Sequence, residues 1–387
     1  MQLLSPIEAA VIARGVYRLR DESAASLRER GQSLGCEELF SLDDCAPFDG
    51  HSGGLSRRSL GRLGYIAAGV GTHAGDVLIA LRGTAMKLDW LSNLNVGMEL
   101  GPGGFPVHAG FHEVWKSFAH ALTRFLAHRN PTRIHCVGHS LGGALAALTA
   151  DHLSAHGVAD VVLYTFGTPR CGDGLFARAL SRRLGTERIL RVWHPADPVP
   201  MIPLFPFCHM AFGDRGLALP AGGLVNVGAH RIEESYMPLL HGQTWRSLAA
   251  GADGGANEAA LVQSWLARTA ARPSGLLMGS ATLLVMIGRA LRWLLECARD
   301  LIAGAIGLTL AIGATVFDQL AWLLARGASL SRDLGDHLST LIRAIFGFLG
   351  RSQPPASDMG AAFVRWVLGL LYASLHGVAE RALVRPG

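Results

Sequence analysis

The run Ile134-His135-Cys136-Val137-Gly138-His139-Ser140-Leu141-Gly142-Gly143 changes character at one serine. Ile134 to Val137 reads as a short buried strand, and Leu141 to Leu153 as a helix of small and apolar residues. Between them stands G-x-S-x-G, the mark of a sharp strand-to-helix turn whose glycines let the helix pack close behind the serine. A serine attacks a carbonyl well only if it stands on such a turn, a base takes its proton and donors await the oxyanion. The pattern recurs at Gly31-Gln32-Ser33-Leu34-Gly35 and Gly50-His51-Ser52-Gly53-Gly54. Neither copy follows a strand signal, so Ser33 and Ser52 are expected to be loop residues. Ser140 is the candidate nucleophile.

Outward from this turn, Val77 to Leu81 is another apolar run, ended by Arg82-Gly83, and reads as a strand buried on both faces. Phe111 to Ala127 has helical apolar spacing. Val161 to Phe166 and Ile189 to Val192 read as further strands. Strands alternating with helices predict an α/β fold with a mostly parallel sheet flanked by helices.

Six elements in order then resemble the class 3 lipases, the fungal-lipase-like branch of the α/β hydrolases. They are Arg82-Gly83-Thr84, Asp89-Trp90, His108-Ala109-Gly110-Phe111, Gly138-His139-Ser140-Leu141-Gly142-Gly143, Thr165-Phe166-Gly167-Thr168-Pro169-Arg170, and Asp197 within Asp-Pro-Val-Pro. The resemblance spans about residues 60–245. It implies an α/β-hydrolase fold and a triad in the chain order Ser, acid, His. Asp197 is the expected acid, with Asp214 in reserve. His230, before a segment bearing Tyr236, is the expected base, with His241 and His209 as alternatives. The backbone N–H groups of Thr84 and Leu141 are the expected oxyanion donors. Leu88, Trp90, Leu91 and Leu94 fit either the apolar face of a lid or core contacts. No cofactor is implied. His108 and His112 lie beside Glu113, but no second metal-binding element follows, so no metal is expected there. His135 and His139 are expected to be structural.

The whole chain of 387 residues has mean hydropathy +0.29 and is half apolar, which excludes a disordered protein. Of its 35 basic residues only Lys87 and Lys116 are lysines, and no basic block interleaved with aromatics suggests nucleic acid. The six cysteines match no metal or redox spacing, so a reducing compartment is the default. Met1 to Arg20 shows no secretory signal pattern.

Composition divides the chain into residues 1–250, the hydrolase-like part, and 251–387, after the break Gly-Ala-Asp-Gly-Gly-Ala-Asn. In the second part residues 273–288 and 301–317 are uncharged, and Ala361 to Ala373 is apolar around Arg365. A spanning helix wants about 20 apolar residues, so a spanning hairpin, interfacial helices and a helical bundle all stay open. The expected function is serine-dependent hydrolysis of lipid carboxylic esters, of triacylglycerol lipase or phospholipase A type. The expected partners are a lipid or phospholipid substrate and a membrane surface met through residues 270–387. The expected location is membrane-associated, after synthesis in the cytoplasm, with non-classical export as an option. If the chain were a bacterial effector, a cognate immunity protein would be a further partner. The alternatives are a lipase-fold effector or scaffold acting mainly through membrane-inserting C-terminal helices, and a pore formed by those helices.

Overall fold

The computed structural model describes residues 2–19, 33–43, 45–52, 59–83, 97–203, 206–211, 216–220, 223–251, 258–271, 278–303, 316–352 and 360–384. The chain divides into two units. One comprises Met1–Pro220, Asn226–Ala252 and Ala379–Gly387, the other Ala221–Val225 and Asp253–Val378. This differs from a single cut at residue 250, because 221–225 belong with the second unit and the C-terminal residues with the first. The break at 252–257 lies outside the described residues.

The first unit opens with α1 (Pro6–Gly15), whose N-terminus is closed by a reciprocal cap between Ser5 and Glu8. Then follow β1 (Ala46–Ser52), β2 (Ser59–Ala68), β3 (Asp76–Leu81), β4 (Met98–Leu100), β5 (Pro106–His108), α2 (Ala109–Leu126), β6 (Arg133–His139), α3 (Leu141–Ala155) and β7 (Asp160–Phe166). The unit continues with β8 (Gly172–Asp173), α4 (Gly174–Leu184), β9 (Ile189–Trp193), β10 (Phe207–Cys208), β11 (Leu217–Ala218) and α5 (Trp245–Gly251). A seven-stranded sheet runs in the order β1-β2-β3-β6-β7-β9-β11. β3, β6, β7, β9 and β11 pair in parallel, while β1 and β2 add an antiparallel edge. A second, antiparallel sheet runs β10-β8-β5-β4.

The apolar run on β3 is buried at every position because both faces are covered. Val77, Ile79 and Leu81 enter a core with residues of α2, α3 and α4. Leu78 and Ala80 enter another, with residues of α1 and with Tyr236, Leu240 and Leu248. The two-residue alternation of a strand thus feeds two cores from one apolar run. Ser52 corrects the expectation of a loop, since it ends β1 and pairs with Ser59 on β2. Ser33 lies outside regular structure, where its hydroxyl donates to Glu37.

The second unit contains α6 (Glu258–Ala271), α7 (Ala281–Ala303), α8 (Val316–Leu330), α9 (Arg332–Phe348) and most of α10 (Ala361–Val384). On α7 the buried residues Leu283, Leu284, Ile287, Leu291, Leu294, Leu295 and Ala298 fall three and four apart. That is the stripe of an amphipathic bundle helix. The uncharged stretch 273–288 is therefore, in its described part, the opening turns of a two-faced helix that also carries Arg292, Glu296 and Arg299. Gly327 on α8 lets that helix approach α7, because a side chain there would press on Ala298 and Leu334. Residues 304–315 of the second uncharged stretch lie outside the described residues. The third stretch forms the start of α10, whose segment Ala361–Leu383 has the length and mean hydropathy (1.4) of a membrane-crossing helix; a third of its apolar window is buried.

Buried histidines give the first unit a definite acid response. Burial pushes His108 on β5 down to about 4 from 6.5. Burial, and then the neighbouring His230, hold His139 well below the usual range. These groups stay neutral in the folded chain while the unfolded chain takes up protons below about pH 6.5. Stability therefore falls as pH drops from 6.5 toward 4, and His108 alone accounts for about 3 kcal/mol of that loss. Melting temperature measured from pH 7 to pH 5 is expected to fall steadily; a flat profile would contradict this burial.

Candidate active site

β6 ends at His139, and α3 begins at Leu141, leaving Ser140 alone in the turn with φ 59° and ψ −132°. A non-glycine residue at such a φ is strained, and the surrounding backbone must hold it there. Ser140 N donates to the Phe166 carbonyl at 2.9 Å, and Gly143 N to the Ser140 carbonyl at 3.0 Å. Three glycines make room for the turn. A Cβ on Gly138 would overlap the Gly142 carbonyl, one on Gly142 would overlap the Leu81 carbonyl at the end of β3, and one on Gly143 would overlap the Thr168 hydroxyl. At the two glycines of G-x-S-x-G, Gly138 and Gly142, backbone thus meets backbone.

His230 closes a short helical turn over Val227–His230, capped by the Asn226 side chain, which accepts from Ala229 N at 2.9 Å. Its Nε2 lies 2.8 Å from Ser140 Oγ, and its Nδ1 2.8 Å from Asp197 Oδ2. Asp197 is fully buried in the turn after β9. Val199 N donates to its Oδ1 at 2.9 Å, and the Tyr236 hydroxyl donates to its Oδ2 at 2.6 Å. The structure therefore brings Ser140, His230 and Asp197 into one hydrogen-bonded line. The alternatives fall elsewhere: His209 Nε2 lies 2.8 Å from the Pro200 carbonyl, and His241 is exposed. Asp214 lies outside the described residues.

Leu141 opens α3 and is buried, so its N–H stands at a helix N-terminus, where backbone donors lack partners within the helix. Thr84 and the segment Leu88 to Leu94 lie outside the described residues. The preceding Gly83 is described: a Cβ there would sit 2.5 Å from the Tyr17 hydroxyl and 3.3 Å from Ser140 Cβ.

Three further residues shape this site. Tyr236 also accepts from His194 N at 3.2 Å, and burial, then the Asp197 carboxylate, raise its phenol well above its ordinary range. It stays protonated, a fixed donor to the acid. Gly167 has φ 56°, and a Cβ there would lie 2.8 Å from Asp197 Oδ2 and 3.2 Å from His230 Nδ1. The His139 ring packs against that of His230, tilted by 31° with centroids 4.6 Å apart; its Nε2 lies 2.9 Å from the His230 carbonyl and its Nδ1 3.0 Å from the Tyr17 hydroxyl. The expectation that His139 is structural thus understates its place beside the base. Tyr236 is 39 residues from Asp197 in sequence, so no local pattern joins them.

His108 packs between the rings of Phe111 and Phe207, and His112 Nδ1 lies 2.8 Å from Glu99 Oε1, which also accepts from Lys116.

A parallel-centred sheet with a serine on its strand-to-helix turn and a buried acid–histidine pair defines an α/β-hydrolase unit. Residues 78–207 match the family model for Lipase (class 3). Over 134 residues the chain is 36% identical to secreted mono- and diacylglycerol lipase 1 of Fusarium solani, covering 33% of this chain and 39% of that protein. Over 196 residues it is 32% identical to phospholipase A1-II 4 of Oryza sativa subsp. japonica, covering 41% of this chain and 48% of that one. The chain thus spans less than half the length of either relative. A solved structure of nonglycosylated LIP2 lipase from Yarrowia lipolytica aligns with TM-score 0.42 and 19% identity, over 56% of this chain and 79% of that one.

Proposed function

We propose that the chain is a serine-dependent lipid carboxylic ester hydrolase of triacylglycerol lipase or phospholipase A type. The observation that carries this reading is the line from Ser140 through His230 to Asp197, with both contacts at 2.8 Å. In this reading Ser140 Oγ attacks the acyl carbonyl while His230 Nε2 takes its proton. Asp197 holds the proton on Nδ1 and stabilises the imidazolium that forms. Leu141 N–H, and Thr84 N–H as expected from sequence, receive the oxyanion. His230 then protonates the departing alcohol, and water, deprotonated by the same ring, releases the fatty acid from the acyl-enzyme. The matched relatives include both a glyceride lipase and a phospholipase A1, which supports the substrate class. Fatty-acid release from mixed phospholipid and triacylglycerol by the wild type against Ser140→Ala tests the reading; equal release would overturn it.

The second unit is proposed to hold the enzyme at a membrane surface. Trp322 on α8 is 49% exposed and Trp366 on α10 46% exposed, and residues 253–378 hold ten arginines against eight acidic residues. Exposed tryptophans on a net-cationic helical unit suit an interface of acyl chains and anionic headgroups. The full chain is expected to float with anionic liposomes, and the double variant Trp322→Glu/Trp366→Glu to bind about tenfold less, since each lost apolar contact costs binding energy. Unchanged flotation of the variant would remove these residues from the docking surface.

A further inference from the structure

At the end of the central strands opposite Ser140, three side chains converge where β3 and β6 begin. Asp76 is the first residue of β3, His135 lies near the start of β6, and His73 closes the short turn Gly71–His73 just before β3. His73 Nδ1 and His135 Nε2 each lie 3.2 Å from the same oxygen, Asp76 Oδ2. The three potential ligand atoms lie within 4.8 Å of one another, and all three residues are buried. The proposed hydrolysis uses none of them.

We propose that His73, Asp76 and His135 form a zinc site that ties the starts of the central strands β3 and β6 to the turn before β3. Two imidazole nitrogens and one carboxylate are a donor set that zinc accepts, with water completing the tetrahedron. Ligand distances of about 2.0–2.2 Å place neighbouring ligand atoms about 3.4 Å apart in a tetrahedron. The two separations of 3.2 Å need almost no adjustment, and a small rotation of one imidazole brings the third into range. Nitrogen donors in this number also argue against magnesium and calcium, which take oxygen.

The surroundings fit as well. His135 Nδ1 lies 3.1 Å from the Tyr164 hydroxyl, which also receives the Leu4 N–H at 3.1 Å. When Nε2 binds metal, Nδ1 carries the proton and the Tyr164 oxygen accepts it, the outer contact that a ligating histidine needs. The Phe40 ring lies 5.3 Å from His73 and 5.8 Å from His135 and covers the cluster with apolar surface. One charge opposes the ion: Arg133 Nη1 stands 3.6 Å from Asp76 Oδ2. It also reaches the Gln2 carbonyl at 3.4 Å, so the guanidinium has a second place to rest. Without metal, both imidazoles can give an N–H to Asp76; when zinc binds, each ring carries its proton on the other nitrogen. Four residues of β6, Cys136 to His139, lie between His135 and Ser140, and the span is roughly 16 Å of strand. The ion would brace the fold rather than touch an ester.

The test uses the full chain, stripped by chelator and titrated with zinc chloride at neutral pH. One zinc per chain is expected, with a rise of several degrees in melting temperature at saturating metal. Cobalt(II) in its place is expected to give the visible absorption of a tetrahedral site. His73→Gln should abolish the zinc-dependent rise, and Arg133→Gln should tighten zinc binding several-fold. Absence of both the thermal rise and the cobalt spectrum in the wild type would overturn the proposal, as would an equal thermal rise in a folded His73→Gln variant. The cobalt spectrum of the wild type decides the matter if the variant does not fold.

Discussion

Replacing Ser140 by Ala is expected to lower fatty-acid release by about 10⁵- to 10⁶-fold, the loss seen when a hydrolase triad loses its nucleophile. The change removes one hydroxyl from a buried position and leaves every backbone contact of the turn in place, including Ser140 N to the Phe166 carbonyl at 2.9 Å. Ala has no Oγ for His230 to deprotonate, so no acyl-enzyme forms. Residual release above water would come from the remaining oxyanion donors and from binding alone. Lipid mass spectrometry of wild type and variant on mixed phospholipid and triacylglycerol measures the drop and names the ester class cleaved. A variant retaining more than about a hundredth of the wild-type rate, a ratio worth only about 2.7 kcal/mol, would move the nucleophile elsewhere.

Asp197→Asn should cost about 10⁴-fold in kcat, with the fold intact. Every neighbour of the Asp197 carboxylate is a donor: Val199 N at 2.9 Å, the Tyr236 hydroxyl at 2.6 Å and His230 Nδ1 at 2.8 Å. An asparagine can satisfy Val199 N with its oxygen only by turning its NH2 toward Tyr236 and His230. His230 Nδ1 must then accept, which places the imidazole proton on Nε2, facing Ser140. The ring can no longer take the serine proton. A kcat loss smaller than tenfold would show that Asp197 does not set the tautomer.

The centre of the fold was legible because its signals are local. The apolar run on β3 and the strand, serine and small-residue helix around Ser140 each declare themselves within about ten residues. The β1–β2 hairpin was missed because Ala46-Pro-Phe-Asp-Gly-His-Ser52 and the glycine-bearing β2 lack clean alternation of polar and apolar residues. The helix α1 carries a local start signal in Ser5-Pro6-Ile7-Glu8. In the second unit, counting uncharged runs hid the helices of 316–348, whose charged residues alternate with the buried Leu320, Leu324, Leu334, Leu338 and Leu341. Ser140, Asp197 and His230 were singled out through chain order and resemblance, and the fold brings them within hydrogen-bond distance. The approach of Tyr236 and Gly167 to Asp197 and the His73–Asp76–His135 cluster were not legible, because each depends on segments that only the folded sheet brings side by side.

The absent side chain at Gly142 has a mechanical meaning. Nothing but backbone separates the first turn of α3 from the end of β3 and the turn at Arg82-Gly83. The attacking oxygen and the loop expected to supply its second donor are thus seated on one shared hinge pin. Thermal displacement of either element carries the other along, so Ser140 and the backbone of Arg82-Gly83 keep their separation through motions that would open a looser joint.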